Sequence, residues 1–482
     1  MKKLIYILFV FISVNTFAQK LTSDNLLIND AFKLATQTVD INTRRGILAA
    51  GGDYGGEWTR DIAINSWTAA SLLRPQVAEK SLWSVTINKD TIGHQYWDKI
   101  IWSIAACNHY LVTGDKEFLA QAYKCSANTM KQLEQRTFDS KYGLFMGPSV
   151  FNDGIAAYPE PIFEPNNHLS GALDHKGSYR IKCLSTNCVY YGAYIALSQM
   201  SSFLNENAAV TKIYQSKAEI LKKNILKNFY NSNNNTFNYL MDQNGKLDNS
   251  QEALGISFAT MFGIIDGNKA EQLIEKAVTS NYGITSISPD FPRYSKDKPG
   301  RHNNIIWPMV NGFFAEAAIV TKNYKTFNHE LISLTHLALD EDKGDYNFRE
   351  IYNPYSGKPD GGYQDWGPDS INFHWQSCRF QTWSATAYIS MVTNGLFGMK
   401  FNEKSLSFAP FLPNEIGSIE LKDLSYRNSK LNILVKGKGN IITSFILDGK
   451  EQKNNFISSA LKGEHSIVIQ LNGADRIKNG TK

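Results

Sequence analysis

A glycine-rich stretch near the start of the chain presents side chains that could grip a polyhydroxylated ligand. It runs from Gly51 to Asp61 and carries Trp58, Arg60 and Asp61 at the start of a predicted helix. A carboxylate accepts hydrogen bonds and a guanidinium donates them, so Arg60 and Asp61 together could hold two adjacent hydroxyl groups. Trp58 could form a wall beside the ligand. The same residues also fit an aspartate that caps the helix beside a salt-bridged arginine, and the local sequence leaves both interpretations open.

A carboxyl group in apolar surroundings follows in the next long loop. Asp153 stands among small and apolar residues, and burial there would raise its pKa. A carboxylic acid that stays protonated near neutral pH can donate a proton to a leaving group. Glu160 and Glu164 are alternative acids, and an aspartate before a glycine also fits an ordinary turn. Tyr158 of the same loop is a candidate ligand contact.

Two later loops carry further candidates. His302, Asn303 and Trp307 precede a proline that fits the first turn of a helix, and we interpret all three as ligand contacts. Glu350 precedes a turn-rich loop and could activate water as a general base, with Asp365 as the competing base. Glu350 could also be a solvated loop residue.

Aromatic residues are the remaining candidates. Trp383 follows the last long loop and Trp97 precedes a predicted helix. An aromatic ring can pack against the apolar face of a sugar, although for any single aromatic residue core packing is the simpler interpretation. We expect both tryptophans to contact the ligand.

The elements that must position these residues are mainly helices. Apolar residues recur at helical spacing in eleven or twelve segments before residue 400, separated by four long loops at 45–60, 138–180, 281–306 and 341–378. Long loops in a compact domain are usually functional, and a closed ring of helical hairpins would bring them to one face. From about residue 403 short alternating segments predict strands instead. We therefore expect a mainly α protein, with a toroid of paired helices over 19–400 and a small antiparallel, sandwich-like β domain over 401–482.

The composition limits location and partners. Residues 1–18 predict a signal peptide, because Lys2 and Lys3 precede an apolar run and small residues end at Ala18. We expect export to the periplasm or beyond, without membrane insertion after cleavage. The formal net charge of +5 contains no basic block, so nucleic acid is not an expected partner. The five cysteines lack a CxxC pair and are expected to be buried free thiols. We expect no metal, no cofactor and a monomer.

Together these segments resemble the six-hairpin, (α/α)6-barrel glycoside hydrolases, nearest to family 15 glucoamylases and family 63 and 37 glucosidases and trehalases. Trp58-Thr-Arg60-Asp61 resembles the segment that binds the sugar in glucoamylase-like enzymes, and Asp153 resembles the acid of families 63 and 37. Two further matches are the base-carrying stretch, with Glu350, Pro354, Gly357, Pro359 and Trp383-Ser384-Ala385, and the His-Asn-x-x-x-Trp-Pro segment from His302 to Pro308.

The resemblance implies a glycoside hydrolase that acts on oligosaccharides or polysaccharides, with α-glucosidic bonds as the expectation from the families. Asp153 would protonate the glycosidic oxygen while Glu350 deprotonates an attacking water, which inverts the anomeric centre. The alternatives are a polysaccharide lyase that uses His302 with Tyr294, a glycoside phosphorylase, and a non-catalytic glycan-binding protein.

Overall fold

The computed structural model describes residues 19–54, 56–340, 345–364 and 374–473. The predicted signal peptide and Asp365 lie outside these residues. No helix in the described part of the chain is long and apolar enough to cross a bilayer.

Helices follow one another in pairs through most of the described chain. They are α1 (Leu26–Ile41), α2 (Thr59–Asn65), α3 (Pro75–Ser84), α4 (Ile101–Thr113), α5 (Lys116–Thr137), α6 (Leu184–Phe203), α7 (Ala208–Phe229), α8 (Ala253–Met261), α9 (Gly267–Glu275), α10 (Pro308–Val320), α11 (Tyr324–Leu339) and α12 (Thr382–Ser390). Helix α2 continues through a π-helical turn at Ser66–Ala70 into a last α-helical turn at Ser71–Leu73, and α12 continues through a π-helical turn at Met391–Leu396.

The even-numbered helices form a closed inner ring. Each contacts the next in the order α2, α4, α6, α8, α10 and α12, and α12 contacts α2 again. Their sequences explain this position: α6 buries 16 of its 20 residues, and a helix that is apolar on all sides belongs in a core. The odd-numbered outer helices bury one face, as α7 does with Ala218, Leu221, Ile225 and Phe229. The predicted (α/α)6 toroid of helical hairpins is confirmed.

Helix ends follow the local signals that the sequence carries. Asn25 accepts hydrogen bonds from the backbone N–H groups of Leu27 and Ile28 and so caps α1. Gly114 ends α4 in the left-handed conformation, with φ +75°. Helix α3 has a weak sequence signal, because it is short and its few buried residues form only a weak apolar stripe.

Short strand pairs brace the loops between helices. These pairs are Thr43–Arg44 with Ile47–Leu48, Thr86–Ile87 with Thr91–Ile92, Phe138–Asp139 with Leu144–Phe145, Tyr230–Asn231 with Thr236–Phe237, Gln251–Glu252 with Ile287–Ser288, Thr279–Ser280 with Gly283–Ile284, and Leu240–Met241 with both Lys182–Cys183 and Leu247–Asp248. Because they close the loops with backbone hydrogen bonds, residues far apart in sequence are held in place at one end of the ring.

The C-terminal part of the chain, together with one N-terminal strand, forms two sheets. Its strands are β1 (Lys20–Ser23), β2 (Met399–Phe401), β3 (Ser405–Phe408), β4 (Ser418–Tyr426), β5 (Ser429–Lys436), β6 (Ile442–Leu447), β7 (Lys450–Glu451), β8 (Phe456–Ser458) and β9 (Gly463–Leu471). The larger sheet has the order β1-β4-β5-β9-β6-β7 and the smaller one β2-β3-β8. Neighbouring strands run antiparallel except β5 and β9, which run parallel.

The N-terminal strand joins this β domain. Lys20–Ser23 pairs with Ile419–Lys422 of β4, although the sequence predicts that residues from 19 onward belong to the helical domain. Four residues without a turn signal give no local indication of a partner almost the whole chain away. The strand therefore ties the first outer helix to the C-terminal sheet.

The five cysteines form no disulfide bonds within the described structure. All five cysteines are buried and free, as predicted. Among the described residues, no group of three or more histidine, cysteine, aspartate or glutamate side chains could hold a metal ion.

Candidate active site

The loops that lead into five inner helices, α2, α4, α6, α10 and α12, enclose one cavity. It has a volume of about 530 Å3, within the range of small-molecule sites. Arg60, Trp307 and Trp383 line it from the first residues of α2, α10 and α12 or the positions just before them. The amino-terminal end of a helix carries a partial positive charge, so this end of the ring favours carboxylates.

The cavity brings together most of the predicted site residues. Those that line it are Trp58, Arg60, Asp61, Trp97, Asp153, His302, Trp307, Glu350 and Trp383. The alternative acids Glu160 and Glu164 line a separate surface groove. Tyr294, the suggested lyase partner of His302, packs in a neighbouring buried cluster instead.

Glu350 is held by two donors. Its side chain is 4% exposed. Nη2 of Arg301 lies 2.8 Å from Oε1, and the hydroxyl of Tyr54 lies 2.8 Å from Oε2. Nη2 of Arg301 also donates to the Tyr54 hydroxyl at 3.1 Å. Burial and the Glu350 carboxylate raise the pKa of Tyr54, so the phenol keeps its proton and remains a donor.

Asp153 faces the cavity in a different electrostatic state from the one predicted. Nη2 of Arg60 lies 2.8 Å from its Oδ2, and the side-chain amide of Gln95 donates to the same oxygen at 3.4 Å. Burial raises the pKa of Asp153, but Arg60 and the hydrogen bond from Gln95 outweigh burial, so this pKa lies below its usual value. The expectation of a raised pKa was wrong, because it considered only the apolar sequence neighbours.

Arg60 is shared among three carboxyl groups. Besides Asp153, Oδ2 of Asp61 lies 3.6 Å from its Nε and Oδ2 of Asp98 lies 4.0 Å from its Nη1. Burial raises the pKa values of Asp61 and Asp98 to about 7 each, despite the attraction of Arg60. The pKa of Asp153 is therefore lowered, whereas burial keeps the pKa values of Asp61 and Asp98 near 7 although all three carboxyl groups share Arg60.

His302 is a neutral hydrogen-bonding group. Its ring stacks on Trp307 with centroids 4.5 Å apart and planes at 2°, and its backbone has φ +64°. Burial and the nearby charge of Arg301 lower the pKa of His302 to about 3. Its Nδ1 has no hydrogen-bond partner among the described residues. This geometry agrees with the predicted ligand contact and not with a base.

Tryptophan side chains form part of the cavity wall. Trp307 and Trp383 pack edge to face at 5.4 Å. Within the described structure, the buried indole N–H groups of Trp97, Trp307 and Trp383 have no hydrogen-bond partner. A buried donor without a partner costs about 1–3 kcal/mol, so a ligand with hydroxyl oxygens would gain from entering.

Tyr158 supports the turn that carries Asp153 and does not line the cavity. It is fully buried, donates to the carbonyl of Asn152 at 2.6 Å and accepts from the backbone N–H of Ser149 at 2.9 Å. Glu252 accepts from the hydroxyl of Ser149 at 2.7 Å and also binds both the hydroxyl and the N–H of Ser185. The hydroxyl of Tyr158 already donates and accepts a hydrogen bond within the protein, so this geometry does not support its predicted contact with a ligand.

Asn303 is also outside the cavity lining. It is fully buried, and its side-chain oxygen accepts a hydrogen bond from the backbone N–H of Phe291 at 3.1 Å. Its amide nitrogen has no hydrogen-bond partner among the described residues, and its predicted contact with a ligand stays a prediction. Asn303 holds the loop that precedes His302.

Several lining residues were not singled out from the sequence. They include Tyr54, Gln95, Asp174, Arg301, Gln364, Trp375 and Gln381. Tyr54 and Arg301 adjoin recognised motifs, so the proximity of a tyrosine to Trp58 and of an arginine to His302 was an available signal. Gln95 and Gln381 had none, since a glutamine in a loop is common.

The chain also matches known protein families. The family model described as mannosylglycerate hydrolase MGH1-like glycoside hydrolase domain matches residues 61–384, more than half of the chain. This chain belongs to the MGH1-like glycoside hydrolase family. A second model, the C-terminal domain of glycosyl hydrolase family 65, matches residues 399–452 of this MGH1-like protein. No curated protein matches it.

Solved structures share the fold of this MGH1-like glycoside hydrolase. A sialidase has a TM-score of 0.68 at 16% identity, over 90% of this chain and 40% of that one. The GH78 family rhamnosidase of Bacillus sp. GL1 has a TM-score of 0.59 at 11% identity, over 95% and 44%. The GH63 mannosylglycerate hydrolase from Thermus thermophilus in complex with glucose has a TM-score of 0.58 at 13% identity, over 75% and 99%. The MGH1-like chain thus spans about two fifths of the sialidase and rhamnosidase chains.

Proposed function

We propose that this chain hydrolyses α-linked glycosides with inversion, with Asp153 as general acid and Glu350 as general base. The observation that carries the proposal is that two carboxylates in one cavity contact two different arginines. Arg60 contacts Asp153 and Arg301 contacts Glu350, each at 2.8 Å. Two carboxyl groups with separate environments can take different roles in acid–base catalysis.

The reaction needs one proton at Asp153 and none at Glu350. Asp153 gives its proton to the glycosidic oxygen, and Glu350 takes a proton from the water that attacks the anomeric carbon from the other face. Each transfer contributes about 10²–10⁴-fold to the rate. Because Arg60 stabilises the Asp153 carboxylate, the form with a protonated Asp153 becomes more abundant as the pH falls, and we expect an acidic optimum.

The sugar would be held by groups that lack partners within the protein. Asp61 and Arg60 supply an acceptor and a donor, and the unpaired indole N–H groups of Trp307 and Trp383 lie in the same wall. His302 is a further neutral partner. α-Glucosides are the first substrates to test, because the motifs most resemble those of glucosidases.

We also propose export through the leader at residues 1–18. The support is the sequence alone: two lysines, an apolar run and small residues ending at Ala18. Expression in a bacterial host should yield a mature protein in the periplasm or medium that begins at Gln19. Recovery of the chain with Met1 intact would contradict export by cleavage.

A panel of α- and β-linked disaccharides tests the activity. The wild-type protein should release reducing sugar from at least one α-linked member, and Glu350→Gln should lose at least about a hundredfold in kcat. The control is Glu160→Gln, which changes a carboxylate in the separate groove and should keep the wild-type rate. An unsaturated product that absorbs in the ultraviolet would instead indicate a lyase, and a requirement for phosphate would indicate a phosphorylase.

A further inference from the structure

Carboxyl groups outnumber positively charged side chains in the described lining of the cavity. In the described lining they are two arginines, Arg60 and Arg301, and four carboxyl groups, Asp61, Asp153, Asp174 and Glu350. His302 is neutral because its pKa lies near 3. The lining therefore carries more carboxyl groups than positive charges before any ligand enters.

Both arginines already form ion pairs with carboxylates of the protein. Arg301 binds Glu350 and Tyr54 through Nη2, and its Nη1 donates to the carbonyl of Gly361 at 3.0 Å. Arg60 binds Asp153 through Nη2 and Gln95 through Nη1. A guanidinium has five N–H donors in a fixed plane, and those on the nitrogens nearest the catalytic carboxylates are committed to them.

Two carboxyl groups of the lining, Asp61 and Asp174, lie outside the proposed acid–base pair. Asp174 is exposed, and its Oδ2 accepts a hydrogen bond from the backbone N–H of Gly171, which also lines the cavity. Asp61 is buried deeper, and its Oδ2 has no hydrogen-bond partner among the described residues. Asp61 has Arg60 beside it, whereas Asp174 forms no salt bridge within the described structure, so an entering anion would meet the uncompensated carboxylate of Asp174.

Neutral hydrogen-bonding groups complete the lining close to Asp153. The side-chain amide of Gln364 lies against Gly154, the residue after Asp153, and its Oε1 has no partner in the described part of the chain. Both amide atoms of the buried Gln381 are also unpaired there. Amide groups of this kind pair with hydroxyl groups, which both donate and accept.

We infer that the group released from the substrate is a neutral polyhydroxylated residue, a sugar or an alditol, and not one that carries a carboxylate. The inference rests on the proposed hydrolase function and specifies its substrate class. It sets this chain apart from the Thermus thermophilus enzyme of the same fold, whose name denotes a glycoside of glycerate. Asp174 is the residue to which we assign exclusion of anionic leaving groups, because its carboxylate lines the cavity and like charges repel.

Matched substrates test the inference. A disaccharide that the protein cleaves is converted at its reducing end into the alditol, which is neutral, and into the aldonate, which ends in a carboxylate. The sugar that is transferred and the linkage stay the same. We expect kcat/KM to be at least about tenfold higher for the alditol, and the ratio to narrow in about 0.5 M salt because salt screens the repulsion.

The variant Asp174→Asn tests whether Asp174 causes the preference for the alditol over the aldonate. The amide keeps the shape and an acceptor for Gly171 but removes the charge, so kcat/KM for the aldonate should rise several-fold relative to the alditol. An unchanged ratio in this variant would overturn the role of Asp174. Equal or faster cleavage of the aldonate by the wild-type protein would overturn the neutral leaving group, whereas failure to cleave any parent disaccharide would overturn the proposed hydrolase function itself.

Discussion

The guanidinium of Arg60 lies 2.8 Å from the carboxylate of Asp153. This contact is the largest of the effects that oppose burial and together lower the pKa of Asp153 below its usual value. An acid that catalyses from this position is protonated in only a minor fraction of the protein at neutral pH. The pH dependence of the rate is therefore the property through which Arg60 acts.

Weakening the contacts to Asp153 should move the basic limb of the pH profile. In this high-pH part of the profile the rate falls because the catalytic acid loses its proton. Arg60→Gln removes a positive charge that stabilises the carboxylate, so the pKa of Asp153 should rise and the limb of kcat/KM should move to higher pH. Gln95→Met keeps the charge of Arg60 and removes the hydrogen bond of 3.4 Å to Asp153, together with the acceptor for Nη1 of Arg60, so it should move the limb the same way by less. Movement to lower pH in either variant would contradict this explanation.

The hydroxyl of Tyr54 should contribute to catalysis through Glu350. Tyr54→Phe removes one of the two side-chain donors that contact this carboxylate. A hydrogen bond to a charged group is worth about 1.5–3 kcal/mol, so we expect kcat/KM to fall by roughly ten- to a hundredfold. Tyr194→Phe is the control, because Tyr194 donates to Glu134 between outer and inner helices. A Tyr54→Phe variant that is as active as the control would show that this donor is dispensable.

Glu252 should position the turn that carries Asp153. Replacing it with alanine leaves the hydroxyls of Ser149 and Ser185 without their acceptor, and a misplacement of about 1 Å can cost about a hundredfold in rate. We expect Glu252→Ala to lower kcat with little change in KM, and Glu252→Gln, which keeps one carbonyl acceptor, to recover part of the loss.

A second buried glutamate provides the control for that experiment. Glu330 accepts hydrogen bonds from the backbone N–H of Ile284 and the side chain of Asn311, away from the cavity lining. Glu330→Ala should destabilise the fold to a similar degree and leave kcat of the remaining folded protein near wild type. Equal losses of kcat in both alanine variants would contradict a specific positioning role for Glu252.

Glu316 should make stability depend on pH. Its side chain lies beside Trp67 and Asn108, away from the catalytic cavity, and burial raises the pKa of Glu316 to about 7. An unfolded glutamate has a pKa of about 4.3. The folded protein thus binds the proton more tightly, and the stability that this group contributes is present below about pH 4 and lost as the pH rises through about 7.

The variant Glu316→Gln removes this dependence. Its free energy of unfolding should match wild type near about pH 4.5 and exceed it at about pH 8, by roughly 3 kcal/mol at most because the side chain keeps some exposure. Urea unfolding at the two pH values provides the measurement. A variant less stable than wild type at the higher pH would contradict the assignment.

The helices of the ring can be predicted from the sequence, whereas the π-helical turns and the pairing of the N-terminal strand cannot. Apolar stripes such as Ala218, Leu221, Ile225 and Phe229 identify outer helices because the spacing is local. The π-helical turns at Ser66–Ala70 and Met391–Leu396, and the pairing of Lys20–Ser23 with β4, depend on contacts across the fold. No local pattern of side chains encodes them.

The site shows the same division. Trp58, Arg60, Asp61 and Glu350 belong to ordered motifs, and all four line the cavity. The electrostatic state of Asp153 depends on Arg60, which is 93 residues away in sequence. Tyr158 has the sequence context of a loop aromatic, and only its two short hydrogen bonds to the Asp153 turn show that it supports the backbone.

The configuration of the first product tests the central claim most directly. Proton NMR during hydrolysis of a cleaved α-linked disaccharide, recorded before mutarotation, distinguishes the two anomers of the released sugar. With Asp153 as acid and Glu350 activating water, the β-anomer should appear first. Initial release of the α-anomer would contradict this mechanism, because retention requires a nucleophilic carboxylate and two displacements.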